Sequence, residues 1–278
     1  MSRTILITGT SSGIGKAAAK HFAAKGWNVI ATMRTPEKEE ELTQLDAVFV
    51  TKLDVQKPET IVAAIQSGIE KFGTIDVLVN NAGYGEFGIF ETISPEQVKT
   101  QFDINVFGVM DTIRTLLPHF RENKSGTIIN ISSGAGRFTL PLISMYAASK
   151  FALEGFSEAL SFELSSLNIG VKIVEPGGST TNFSNVSAEK SGSNISISDY
   201  DPFLAAAGKM FGSLRDMQLA TAEEVVAVIY EAATDGTDTL RYVVGNEDFK
   251  IRMNARHTMP DQEYINSIKA GYTKFYEN

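Results

Sequence analysis

The stretch Thr4-Ile5-Leu6-Ile7-Thr8-Gly9-Thr10-Ser11-Ser12-Gly13-Ile14-Gly15 decides how the chain is read. It is a short β-branched run, then a glycine-spaced turn, and Ala-rich residues from Ile14 to Lys25 continue it as a helix. A helix that starts directly after such a turn presents unpaired N–H groups and the positive end of its dipole to whatever the turn holds. Glycine lets the backbone turn tightly and approach a ligand closely. The turn made by Gly9, Ser11, Ser12, Gly13, Ile14 and Gly15 therefore suits a pyrophosphate. The spacing GxxxGxG is weak evidence alone, and an ordinary Gly-rich turn is the plain alternative. Its place between the first strand and the first helix makes it specific.

Outward from this turn the chain alternates. Strand-like runs at Asn28–Thr32, Ala47–Val50, Ile75–Val79, Thr127–Ser132, Val171–Glu175 and Leu240–Val244 join Thr4–Thr8 to make seven. Helical stretches are expected at Pro36–Leu45, Pro58–Phe72, Pro95–Arg121 and Tyr146–Leu167. Apolar strands alternating with helices imply a parallel sheet covered on both faces. The expected fold is α/β, a Rossmann-like, doubly wound parallel sheet of about seven strands in a single domain over residues 1–278. Residues 184–220 read as a late substrate lid, Ser- and Asn-rich at first and then apolar (Phe203, Leu204, Met210, Phe211, Leu214). Residues 246–278 read as a C-terminal extension, with a helix packed on the outside of the domain.

Composition narrows the function. The 278 residues contain no Cys, so disulfides, thiolate metal sites and Cys nucleophiles are excluded. A net charge of −8 argues against a nucleic-acid footprint and a polybasic membrane surface. His21, His119 and His257 are too scattered for a metal-ligand spacing, and no metal is expected. No apolar run approaches the roughly 20 residues of a membrane span, and no secretory h-region follows the N-terminus. A cytoplasmic protein without a membrane partner is expected.

The second strand ends Ala31-Thr32-Met33-Arg34, with no acid before Glu37. In dinucleotide folds a carboxylate near this point bonds the 2′-OH of NAD, whereas an Arg accommodates the 2′-phosphate of NADP. Arg34 predicts NADP(H), preferred over NAD(H). The alternative is a solvated surface charge.

Four further features share the frame: Asn80-Asn81-Ala82-Gly83 after the fourth strand, Asn105 in the long helix, Ser132-Ser133-Gly134 after the fifth strand, and Tyr146-Ala147-Ala148-Ser149-Lys150 opening the next helix. Tyr146 and Lys150 lie four residues apart and share a helix face. A phenol titrates near 10, and a nearby ammonium favours phenolate. The expectation is that Lys150 lowers the pKa of Tyr146, so that the pair exchanges a proton with a carbonyl or hydroxyl oxygen. Ser133, at the carboxyl end of a strand, could hydrogen-bond that oxygen. A Ser hydrolase lacks support, because there is no GxSxG and no suitably placed His.

Taken in order, TGxxxGxG, NNAG, Asn105, Ser133, YxxxK and Pro176-Gly177 resemble a short-chain dehydrogenase/reductase over about residues 4–183, with a family-like last strand near Leu240–Val244. The resemblance implies Tyr146 as general acid in reduction and base in oxidation, with Lys150 also binding the nicotinamide ribose and Asn105 holding a water that links Lys150 to solvent. It selects Ser133 over Ser132. It places Asp54 and Val55 at the adenine, and Asn81, Ala82 and Gly83 along its ribose, with Asn80 bracing the sheet. Pro176 and Gly177 would bind the cofactor, and Ser179 and Thr181 would hold the carboxamide. Arg34 after Ala31-Thr32-Met33, and Phe183 after the Thr pair, resemble the steroid- and retinoid-handling subgroup.

Tyr84, Phe87, Phe138, Leu140, Met145 and Phe183 flank the reacting centre and suggest an apolar substrate pocket. The expected activity is NADPH-dependent reduction of a hydrophobic ketone or aldehyde. Alternatives are NADP⁺-dependent oxidation of a secondary alcohol, a non-catalytic NADP-binding regulator, and a scaffold protein. A sugar epimerase is disfavoured by the glycine spacing. The resemblance implies a homodimer or homotetramer through the two long helices.

Overall fold

The computed structural model describes residues 2–178, 195–215 and 220–276. Among them, seven strands form one parallel sheet in the order β3-β2-β1-β4-β5-β6-β7. The strands are β1 Thr4–Thr8, β2 Asn28–Met33, β3 Val48–Lys52, β4 Val77–Asn80, β5 Gly126–Ile131, β6 Ile169–Pro176 and β7 Arg241–Val244. The helices are α1 Gly13–Ala24, α2 Pro58–Phe72, α3 Pro95–Phe102, α4 Gly108–Glu122, α5 Ser144–Ser165, α6 Asp201–Arg215, α7 Ala222–Thr234, α8 Glu247–Thr258 and α9 Asp261–Thr273. The order reverses between β1 and β4, which opens a crevice at the carboxyl ends of the strands. No helix among the described residues is long and apolar enough to cross a membrane.

Side-chain alternation along each strand feeds two cores. Ile5 and Ile7 of β1 pack toward Phe22 of α1 and Val225 and Ile229 of α7. Leu6 points the other way, into a core with Ile61 of α2, Ile113 and Phe120 of α4, and Leu153 and Leu160 of α5. Both faces of the sheet are thus dry, which explains strands that read as apolar throughout.

Three segments differ from the sequence expectation. Residues 36–45 form two 3₁₀ turns, Pro36–Lys38 and Leu42–Gln44, rather than a helix. The Glu39 carboxylate accepts the N–H groups of Glu41 (3.0 Å) and Leu42 (2.9 Å) and so competes with a helical ladder. Helix α7 lies in a stretch to which the sequence reading assigns no element. Its start carries a capping box in which Thr221 and Glu224 satisfy each other's backbone N–H. The described part of the expected lid is a turn, Ser198–Tyr200, followed by α6. The ring of Phe203 on α6 sits edge-on to Tyr272 of α9, with centroids 5.5 Å apart.

Phe22 is fully buried between the sheet and α7, and its ring meets Trp27 edge-on at 5.1 Å. Phe22→Ala should lower unfolding free energy by about 3–5 kcal/mol. Urea unfolding followed by circular dichroism measures this, and a loss below about 1 kcal/mol would contradict the packing described.

Candidate active site

The turn after β1 is held by close backbone contacts. Gly9 has φ +73°, a conformation that suits glycine, and a Cβ there would lie 2.9 Å from Ala82 Cα. A Cβ on Gly15 would lie 2.3 Å from the Gly9 carbonyl oxygen. Asn81 locks the arrangement, its Nδ2 donating to the carbonyls of Thr8 (2.9 Å) and Gly9 (3.0 Å). The Thr8 hydroxyl accepts the N–H groups of Asn81 and Ala82. Ser12 precedes α1 without a side-chain cap bond, and the first turn of α1 carries no acid. This bare, Gly-lined helix start fits a pyrophosphate. The residues that could hold it are Ser11, Ser12, Gly13, Ile14 and Gly15.

Arg34 follows β2 directly, is exposed, and makes no ion pair among the described residues. Asp54 follows β3, and its Oδ1 accepts the Gln56 N–H at 3.1 Å. Val55 is buried against Gly108 at the start of α4. Asn80 braces the sheet by donating to Asn130 Oδ1 at 2.9 Å.

At the ends of β4 and β5 the structure brings Asn105, Ser133, Tyr146 and Lys150 together. Ser133 follows β5, its hydroxyl accepts the Ala135 N–H at 3.1 Å, and it is hydrogen-bonded to the Tyr146 side chain. Lys150 is one turn beyond Tyr146 on α5. Its Nζ donates to the Ile131 carbonyl at 2.8 Å and lies 5.9 Å from the Tyr146 ring centroid. Asn105 sits in a π-helical turn, Asp103–Phe107, between α3 and α4. Its Oδ1 accepts the Tyr84 N–H at 3.1 Å, and its Nδ2 donates to the Tyr84 carbonyl at 2.9 Å and to Ser149 Oγ at 3.2 Å. Asn105 therefore clamps the segment after Gly83 against α5. π-turns often mark functional positions in helices.

The electrostatics correct the expectation that Lys150 lowers the pKa of Tyr146. Burial dominates and pushes the phenol up to about 12, and the Ser133 hydrogen bond acts downward. Burial also lowers the Lys150 ammonium to about 8, partly offset by the Glu154 carboxylate one turn along. Tyr146 thus stands protonated at neutral pH. Lys150 keeps its charge below about pH 8.

The residues expected to line the substrate pocket divide. The Phe87 ring meets Tyr146 edge-on, with centroids 5.5 Å apart. Met145 is half-buried beside it in sequence. Tyr84 is only 2% exposed and forms a buried strut rather than an open wall. Phe138 is buried with Met253 and Tyr264 of the tail, and Leu140 packs on the same cluster. The tail covers both, which one-dimensional proximity to Tyr146 did not reveal. Ser179, Thr181 and Phe183 lie outside the described residues.

The segment after Phe87 lines a cleft of about 470 Å³ with Ile89, Phe90, Glu91, Leu142, Tyr200 and Phe203. Leu142 takes φ +64°, and its carbonyl accepts the Gly88 N–H at 2.8 Å, tying the two walls together. Tyr200 donates to Glu91 Oε2 at 3.0 Å across the cleft. Sequence reading missed Phe90, Leu142 and Tyr200 as site residues. Their common signal is position in loops at the carboxyl ends of strands, where such folds bind ligands.

A seven-stranded doubly wound sheet with this site defines a nicotinamide-dependent oxidoreductase. The model of the short chain dehydrogenase family matches residues 3–192, and the chain belongs to that family. It is 35% identical over 280 residues to YusZ, an uncharacterized oxidoreductase of Bacillus subtilis, covering 95% of this chain and 96% of that one. It is 37% identical over 244 residues to human retinol dehydrogenase 8, covering 82% and 78%. The solved structure of a short-chain dehydrogenase from Streptomyces avermitilis matches all of this chain and 97% of its own, with 31% identity and a TM-score of 0.78.

Gly15→Ala places a methyl group against the Gly9 carbonyl and Asn81 Nδ2. It should weaken binding of the nicotinamide coenzyme by about tenfold or more, roughly 1.4 kcal/mol at the least. Fluorescence titration measures this, and unchanged affinity would contradict the cradle.

Proposed function

We propose that the protein reduces hydrophobic ketones or aldehydes with NADPH. The observation that carries this reading is a buried, protonated Tyr146, hydrogen-bonded to Ser133 and one helical turn from Lys150, beside a mostly apolar cleft. NADPH, when bound, supplies the hydride. Tyr146 gives its proton to the carbonyl oxygen as negative charge develops there. Ser133 donates a hydrogen bond to the same oxygen and orients it. Lys150, charged below about pH 8, binds the nicotinamide ribose. On the family pattern, Asn105 holds the water through which Lys150 reaches solvent.

Arg34 supports the choice of NADPH. An exposed guanidinium at the end of β2, without an acidic partner among the described residues, can pair with the 2′-phosphate, and a carboxylate there would repel it. Asp54 and Val55 stand at the adenine, Asn81, Ala82 and Gly83 at its ribose, and Pro176 and Gly177 elsewhere along the coenzyme. The substrate enters between Phe87 and the cleft walls, where aromatic side chains favour an apolar body.

A second copy of the chain is the proposed protein partner. Phe107 (51% exposed), Phe151 (42%) and Phe162 (73%) stand on the π-turn and α5. Burying them between paired helices removes this apolar surface from water. Light scattering should show a dimer or tetramer, and a monomer would contradict the pairing.

Three kinetic outcomes test the chemistry. Tyr146→Phe should abolish reduction of a carbonyl panel while NADPH still binds, and substantial residual turnover would sink the acid assignment. Arg34→Ala should weaken NADPH binding by about tenfold yet leave NADH nearly unaffected, and equal losses for both would contradict a phosphate contact. Reduction should also decline above about pH 8. Lys150 is depressed from its ordinary value near 10.5, so raising the pH past about 8 removes the ammonium. A rate still flat at about pH 9.5 would contradict that role.

A further inference from the structure

We propose that Phe249, in the C-terminal extension, is a positioning residue for the reacting centre. Its ring sits on bare backbone at the ends of three adjacent strands. A Cβ at Gly134, the residue after Ser133, would lie 2.4 Å from Phe249 Cε2. At Gly177, in the segment assigned to the coenzyme, it would lie 3.0 Å from Cγ, and at Gly245, after β7, 2.4 Å from Cδ1. Glycine backbone is conformationally free, and here one ring restricts three such segments. This inference rests on the function proposed above, which gives Ser133 and Gly177 their roles.

The ring is itself held in place. Asn246 caps α8, its Oδ1 accepting the Phe249 N–H at 2.9 Å. Phe138 lies against the ring, with centroids 6.0 Å apart, and the Arg252 guanidinium covers Phe138 at 5.8 Å. Further along α8, His257 faces Arg137, which pairs with the buried Glu175 at 3.1 Å. Glu175 directly precedes Pro176. Helix α8 thus engages the 134–138 turn through Phe249, Arg252 and His257, and it reaches the end of β6 through both Gly177 and Arg137. A side chain that only covered the outside of the domain would not meet the backbone on both sides of the reacting centre. Displacements near 1 Å at such a centre cost up to about 100-fold in rate.

The test compares Phe249→Ala and Phe249→Leu with wild type. Phe249→Ala should lower kcat by about tenfold or more at saturating NADPH, and the NADPH dissociation constant, set mainly at the phosphate turn, should change by less than about threefold. In protein without added coenzyme, amide hydrogen exchange should rise in residues 132–138 and 175–178 and stay unchanged in β1 and β2. Phe249→Leu should restore most of both properties. If Phe249→Ala does not fold, Gly245→Ala should reproduce the defect by pushing the ring aside, and Gly245→Ala combined with Phe249→Val should relieve it. Unchanged exchange in both segments, or a Leu variant no better than Ala, would overturn the proposal. So would Gly245→Ala without a defect. Wild type inactive on all carbonyls would defeat the proposed function, and the exchange readout would still decide the positioning role.

Discussion

Lys150 donates a hydrogen bond from a buried ammonium to the carbonyl of Ile131, at the end of β5, and the rest of the site depends on that constraint. A charge this deep needs a partner, because its desolvation is costly. The bond anchors α5 to the carboxyl end of β5, an interior strand of the sheet. It thereby places Tyr146, one turn earlier, beside Ser133, which follows the same strand. Ser149, between them on the helix, takes a hydrogen bond from Asn105 and donates to the Tyr146 carbonyl at 2.7 Å. Helix, strand end and π-turn are therefore fixed relative to one another before any ligand arrives. That preorganisation is what an electrostatic catalyst requires.

Burial sets the direction in which the pair is poised. Low polarity disfavours both the phenolate and the ammonium, and it moves the two groups apart in proton affinity. The phenol goes up to about 12 and the ammonium down to about 8. Tyr146 therefore holds its proton at neutral pH, the form from which a general acid acts. The same polar economy continues below the site. Glu175 and Glu154 are buried, and Arg241 meets both, at 3.4 Å and 3.1 Å, while Arg137 adds a second cation at Glu175. Removing one partner from such a cluster would leave a buried charge uncompensated, so these groups tie β6, β7 and α5 into one unit.

Much of this was legible in the sequence because it is local. The Gly9–Gly15 turn, the apolar strands, and the four-residue spacing of Tyr146 and Lys150 each express a short-range geometric rule. The parallel sheet followed from alternation, and the family from motifs in order. What failed depended on contacts distant in sequence or on competing side chains. Residues 36–45 have helical composition, yet the Glu39 carboxylate takes two backbone N–H groups and pairs with Lys16 at 3.0 Å. Helix α7 is signalled by the capping pair Thr221 and Glu224 and by Val225, Val226, Ile229, Ala232 and Ala233 at helical spacing. Phe138 and Leu140 read as pocket walls because they are close to Tyr146 in one dimension, whereas in space Met253 and Tyr264 cover them. The upward shift of Tyr146 could not be read from spacing, because desolvation is a property of the assembled fold.

The central claim is that the Tyr146 hydroxyl meets a nicotinamide ring at the carboxyl ends of β4, β5 and β6. A crystal structure of the protein with NADPH tests it most directly. The account predicts the pyrophosphate on the Gly9–Gly15 turn and the nicotinamide ring beside the hydroxyls of Tyr146 and Ser133. A ring seated away from both hydroxyls, with the pyrophosphate still on the turn, would contradict it.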